Sequence, residues 1–196
     1  MTRVVLLLVP RVHVLDLAGP AQVFATAADH GYEYQLAYVA EQEEVPTAQG
    51  LTVRASVRWP SLTPADLVIV PGWRSPTRPR AGGLTAETLR RLVEHYEAGG
   101  TVASVCAGTY ALGQAGLLDG HRCTTHHDLQ DDLAARYPRA QVVRDVLYVV
   151  DGRLITSAGI ASGIDMALHL IATRHGPAAA ARIAREMVVF SRRNGH

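Results

Sequence analysis

Nearly uninterrupted apolar runs alternate along the chain with stretches in which apolar positions recur every three or four residues. "RVVLLLV" at 3–9 is of the first kind, the pattern of a parallel strand buried on both faces. "LAGPAQVFATAADHG" follows, where Pro20 suits a first helical turn and Gly31 a helix stop. "YEYQLAYVA" (32–40) reads as a second strand, "VPTAQGLTVRASV" (45–57) as two short strands about a Gln49-Gly50 turn, and "DLVIVPG" (66–72) as another buried strand. Over 85–100, Leu89, Leu92, Val93 and Tyr96 fall at i, i+3, i+4 and i+7, with Thr85 placed to cap and Gly99-Gly100 to terminate a helix. "TVASVC" (101–106) predicts the next strand and "VLYVVDGRLIT" (146–156) a hairpin on a tight Asp151-Gly152 turn. Helical patterns at 161–175 and 177–188 close the chain, and the Pro- and Gly-rich segment 72–83 predicts a surface loop.

Strands alternating with helices imply an α/β fold with a mainly parallel sheet covered on both faces. Without a linker or repeat, residues 1–196 are expected to form a single domain. Composition narrows the function classes. With 19 basic and 18 acidic residues, bulk positive charge gives no reason to expect nucleic-acid binding. The apolar run at 4–9 is too short to span a bilayer, and nothing after it reads as a signal-peptide cleavage site. Two cysteines make no disulfide framework, so a reduced thiol in the cytoplasm is the default.

The chemistry gathers where strands end. Ligands of an open parallel sheet bind beyond the carboxyl ends of its strands. Cys106 lies at one such end, Gly72 at another, and Asp16 shortly after the first strand. A strand–Cys–helix corner pushes the thiol out over a helix N-terminus, the logic of a nucleophile elbow, where the amide groups would lower the thiol pKa. The amides of Ala107 and of Gly72 or Trp73 are candidates for an oxyanion hole, and Trp73 for a pocket wall. Each residue also has a plain structural reading: Cys106 as a buried core thiol, Asp16 as a helix cap, His126 as a solvated histidine. His126 and His127 suggest a metal, but neighbours on a strand face opposite sides, so no metal or other cofactor is expected.

"VASVCAGTYALGQAGLLDGHRCTTH" resembles the cysteine elbow of the ThiJ/PfpI superfamily, and "VHVLDLAGPAQVF", "DLVIVPGW" and "VLYVVDGRLITSAGIASGIDMALHLI" resemble the same family in order. The branch most similar to the chain comprises the sensor domain of AraC-type transcription regulators and the stand-alone isonitrile hydratases. The resemblance implies a flavodoxin-like three-layer sandwich, a homodimer, a reactive Cys106, an acidic partner in Asp16 and a nearby histidine in His126. Two positions depart from the pattern: Ala107 replaces the threonine that usually follows the cysteine, and His127 replaces a tryptophan. The segment "AREMVVFSRRNGH" resembles the lead into a helix-turn-helix region, and these residues alone are not expected to bind DNA. Ala107 and this segment favour a ligand- or redox-sensing domain for a small molecule. The Cys/Asp pair keeps open an enzyme that hydrates or hydrolyses a small carbon–nitrogen compound.

Overall fold

Right-handed crossovers from a twisted parallel sheet decide which face each helix covers. The computed structural model describes residues 1–75, 83–190 and 193, so the loop expected over 72–83 falls largely outside the described residues. β1 (Thr2–Leu8) leads through α1 (Val14–Asp29) to β2 (Tyr34–Ala40), and β3 (Glu44–Pro46) and β4 (Thr52–Arg54) form an antiparallel ribbon turned at Gly50. β5 (Leu67–Val70) is followed by α2 (Ala86–Glu97), β6 (Thr101–Val105), a 3-10 turn over Cys106–Gly108 and α3 (Thr109–Gln114). The chain continues through β7 (Arg122–Cys123), α4 (Gln130–Arg136), β8 (Gln141–Val142), β9 (Tyr148–Asp151), β10 (Leu154–Ser157), α5 (Ser162–His175) and α6 (Pro177–Glu186).

The six-stranded sheet has the order β2-β1-β5-β6-β10-β9. All neighbours are parallel except the β9–β10 hairpin. From β1 the chain moves one way to β2; from β5 it moves the other way to β6. Crossovers of one hand then put α1, α5 and α6 together on one face, and α2 and α3 on the other. The reversal lies between β1 and β5, so the crevice forms at the carboxyl ends of those two strands. Val4 to Leu8, Leu67 to Val70 and Val102 to Val105 are fully or almost fully buried, as strands with helices on both sides must be. No helix among the described residues is long and apolar enough to cross a membrane.

The periodic elements stand where their patterns place them, including the Thr85 cap, which accepts from the Thr88 amide at 3.3 Å. Helix α1 differs. It begins at Val14 with His13 as an N-cap that offers no side-chain bond. Asp16 therefore lies inside the first turn, and Pro20 lies mid-helix rather than at its start. Proline has no amide hydrogen, so the Asp16 carbonyl loses the usual i→i−4 bond from position 20. β7 and β8, two residues each, are too short to show alternation, and α4 buries only Gln130 and Leu133, which leaves no helical stripe to read.

The elbow approaches β5 where only glycine fits. A Cβ on Gly108 would stand 1.9 Å from the Val70 carbonyl oxygen, which belongs to the sheet and cannot swing away. Gly108→Ala is expected to lower the unfolding free energy by about 2 kcal/mol or more, the upper range for overpacking. A urea denaturation midpoint equal to that of wild type would contradict this packing account.

Candidate functional site at the carboxyl ends of the strands

After β1 the backbone folds onto the segment after β5. The His13 amide donates to the Gly72 carbonyl at 2.9 Å and the Arg74 amide to the Arg11 carbonyl at 2.9 Å, with Val12 and Trp73 paired between them. This zipper delivers the first turn of α1 to Gly72. Asp16 is fully buried there, and its Oδ2 accepts from the Gly72 amide at 3.1 Å. Its Oδ1 is buried with no hydrogen-bond partner among the described residues. A carboxylate with one neutral donor is poorly solvated, and burial pushes the Asp16 pKa up to about 7, against a smaller lowering by the Gly72 amide.

Cys106 directly follows β6 and opens the 3-10 turn with φ +56. A residue other than glycine in this left-handed region costs on the order of 1–3 kcal/mol and must be held by its surroundings. The Cys106 carbonyl accepts from the Thr125 hydroxyl at 2.7 Å and lies 3.2 Å from the Thr109 hydroxyl, which also reaches the Thr124 carbonyl at 2.9 Å. The elbow and the loop after β7 are thus sewn together by buried threonines. A Cβ on Gly72 would stand 2.6 Å from Asp16 Oδ2 and 2.8 Å from Cys106 Cβ, so the acid and the cysteine flank one bare Cα. Gly159, with φ +68, closes the other side: a Cβ there would lie 2.4 Å from Cys106 Cβ.

The structure brings Asp16, Gly72, Ala107 and Cys106 together and changes three expectations. The Gly72 amide is spent on Asp16, which removes it from an oxyanion hole. Asp16 is not a cap before α1. The Cys106 thiol is not driven toward thiolate: burial first, then the Asp16 charge, push its pKa up to about 12, against a smaller lowering by the Ala107 amide. The 3-10 turn and the six-residue α3 supply too little dipole to overcome desolvation. Cys123 is fully buried in the core, and its thiol is likewise raised by burial, to about 11. Trp73 is buried beside Val12.

His126 does not turn its Nδ1 to the thiol. That atom accepts from the Asp128 amide at 3.3 Å, and burial, then His127, lower its pKa. Nor do His126 and His127 occupy a strand. They begin the short 3-10 turn over His127–Leu129, and their rings lie on the same side with centroids 4.2 Å apart. Gly159 and Thr125 escaped the sequence reading. Gly159 follows β10, another parallel strand of the same sheet, and the strand-end rule that selects Gly72 and Cys106 selects it too.

Residues 2–173 match the profile described as DJ-1/PfpI family. The HTH-type transcriptional regulator CdhR of Pseudomonas aeruginosa is 33% identical over 150 residues, which cover 76% of this chain and 43% of that protein, so the match spans less than half of the regulator. The isonitrile hydratase of Pseudomonas putida is 35% identical over 167 residues, covering 84% of this chain and 68% of that enzyme. Among solved structures, an AraC family transcriptional regulator from Pseudomonas putida superposes with a TM-score of 0.79 at 20% identity, covering 95% of this chain and all (100%) of that one, which shows a shared fold.

The raised Asp16 pKa carries a stability signature. Between the ordinary carboxyl pKa and about 7 the folded state holds a proton that the unfolded state has released. The unfolding free energy must then fall as pH rises from about 4 to 7. Asp16→Asn is expected to flatten that slope and to raise stability at pH 8 by a few kcal/mol. Chemical denaturation at a series of pH values measures both, and an unchanged slope in the variant would show that Asp16 ionises normally.

Proposed function

Because the chain belongs to the DJ-1/PfpI family, we propose that it is a ligand- or redox-sensing domain, akin to those of AraC-type transcription regulators, with Cys106 as the sensing group. One observation carries this reading. A thiol held in a left-handed turn stands beside a buried carboxyl whose Oδ1 has no partner among the described residues, and burial raises the pKa of both groups. Such a pair is quiet at rest. It responds when a small molecule enters and solvates Oδ1, or when an oxidant meets the sulfur.

With peroxide the step balances as follows. The step starts from the fraction of molecules in which Asp16, with a pKa of about 7, is ionised: the thiol proton moves to that carboxylate, the sulfur forms a bond to one peroxide oxygen, and the O–O bond breaks. The departing hydroxide takes the proton from Asp16 and leaves as water, so cysteine is oxidised to sulfenic acid and peroxide is reduced. The domain is proposed to act as a cytoplasmic homodimer with a small-molecule ligand. The apolar groove between α1 and β2, lined by Leu17, Ala18, Ala21, Leu36 and Tyr38, supports a self-association surface.

The second reading is a cysteine-dependent hydratase or hydrolase of a small carbon–nitrogen compound. The similarity to isonitrile hydratase supports it, as does an Asp16 pKa near the range suited to general acid–base work. Ala107 speaks against it, since it removes the hydroxyl that follows the cysteine in the hydratases. A screen of isonitriles, amides and α-oxoaldehydes with wild type, Cys106→Ser and Asp16→Asn separates the two. The sensor reading expects no meaningful turnover, together with oxidation of Cys106 ahead of Cys123 under brief peroxide treatment, read by mass spectrometry. Turnover near ~1 s⁻¹ that disappears in both variants would establish the enzyme instead.

A further inference from the structure

The loop that follows β7 carries a donor set that neither reading uses. His126, His127 and Asp128 each offer a ligand atom, and these atoms all lie within 4.8 Å of one another. Each imidazole stands near one oxygen of the Asp128 carboxylate, so small side-chain rotations bring the three donors onto one ion. His127 Nε2 stands 3.2 Å from Asp128 Oδ1, and His126 Nδ1 stands 3.8 Å from Asp128 Oδ2. Donors on a tetrahedral ion with bonds of 2.0–2.1 Å sit about 3.3 Å apart. We propose that His126, His127 and Asp128 form a binding site for a divalent transition-metal ion of the zinc type.

The chemistry of the three donors fits that class. Two imidazoles and one carboxylate suit a borderline ion such as Zn²⁺ rather than Ca²⁺ or Mg²⁺, which demand oxygen ligands. His126 already presents a lone pair at Nδ1, because that atom accepts from the Asp128 amide. At 3.3 Å that bond is weak, and an ion replaces it while the freed amide meets solvent. Asp128 and His127 are both exposed, so their side chains adjust to the ion without disturbing the core. The two imidazoles, tilted 33° to each other with centroids 4.2 Å apart, stand on one side of the turn.

His13 lies close enough to His126 for their charges to repel, yet it stays outside the ligand set. Gln49 Oε1 is held by the Val14 amide at 2.9 Å, so the Gln49 amide group donates to His13 Nδ1 at 3.2 Å. The remaining His13 nitrogen then carries the proton in the neutral ring and has no lone pair to give. The site also has a firm base. Thr125, directly before His126, donates to the Cys106 carbonyl at 2.7 Å, and Gln130 Nε2 donates to the Thr125 carbonyl at 3.3 Å.

The test is Zn²⁺ titration of the whole chain, kept reduced with a phosphine, by calorimetry and by competition with a chromogenic chelator. Wild type is expected to bind one ion per chain, and His127→Ala and Asp128→Asn are each expected to weaken binding about tenfold or more. Cys106→Ser and His13→Ala should keep the wild-type affinity, which separates this site from the thiol. Circular dichroism confirms that the variants fold, as exposed positions should allow. No saturable binding, wild-type affinity in His127→Ala, or loss of binding in Cys106→Ser would each overturn the assignment.

Discussion

The hydrogen bond from the Gly72 amide to Asp16 Oδ2 is the tie on which the site depends. It joins the segment after β5 to the first turn of α1, two pieces of chain that leave the sheet on either side of its reversal point. Without it the buried carboxyl would have no donor among the described residues, since its other oxygen already lacks one. An unsolvated carboxylate is among the most expensive groups to bury. The bond thus sets where Asp16 stands and how reluctantly it ionises. Glycine is required at that donor for a second reason: any Cβ would strike the acid, the cysteine and the Ala107 amide together.

Much of this was legible in the sequence because strand ends are. The apolar runs at 3–9, 66–72 and 101–106 mark three parallel strands, and the rule that ligands gather beyond their carboxyl ends brings Asp16, Gly72 and Cys106 to one place before any coordinates. The start of α1 was not legible. Its first turn, Val14 to Leu17, carries no capping side chain, and Pro20 imitates a helix start while sitting mid-helix. A proline is tolerated there at the cost of one backbone bond, and no residue pattern announces that compromise. The geometry of His126 and His127 was hidden for a related reason. A strand alternates its side chains, a 3-10 turn does not, and the segment is too short to declare which it is.

The protonation state of the thiol was beyond sequence altogether. An elbow over a helix N-terminus argues for a thiolate, and the Ala107 amide does favour one. Against it stand burial of the sulfur and a carboxyl across the same glycine, and neither can be weighed until the depth of the site is known. With only a three-residue turn and a six-residue helix behind it, the dipole contribution is the smaller effect.

Asp16 and Cys106 therefore share a problem rather than solve it for each other. Each would be easier to ionise if the other were neutral, so the pair favours holding one proton over holding none. Which atom holds it depends on what else enters the cleft. A donor reaching Oδ1 stabilises the carboxylate and leaves the proton on sulfur. Placed at the sulfur, an electrophile draws the proton to Asp16 and releases a thiolate backed by the Ala107 amide. A site arranged this way does not need a permanently activated cysteine. On the proposed reading its reactivity would depend on occupancy, the behaviour a sensing domain requires. The threonine hydroxyls on the Cys106 carbonyl hold the strained turn and tie it to the loop that carries Thr125 and His126.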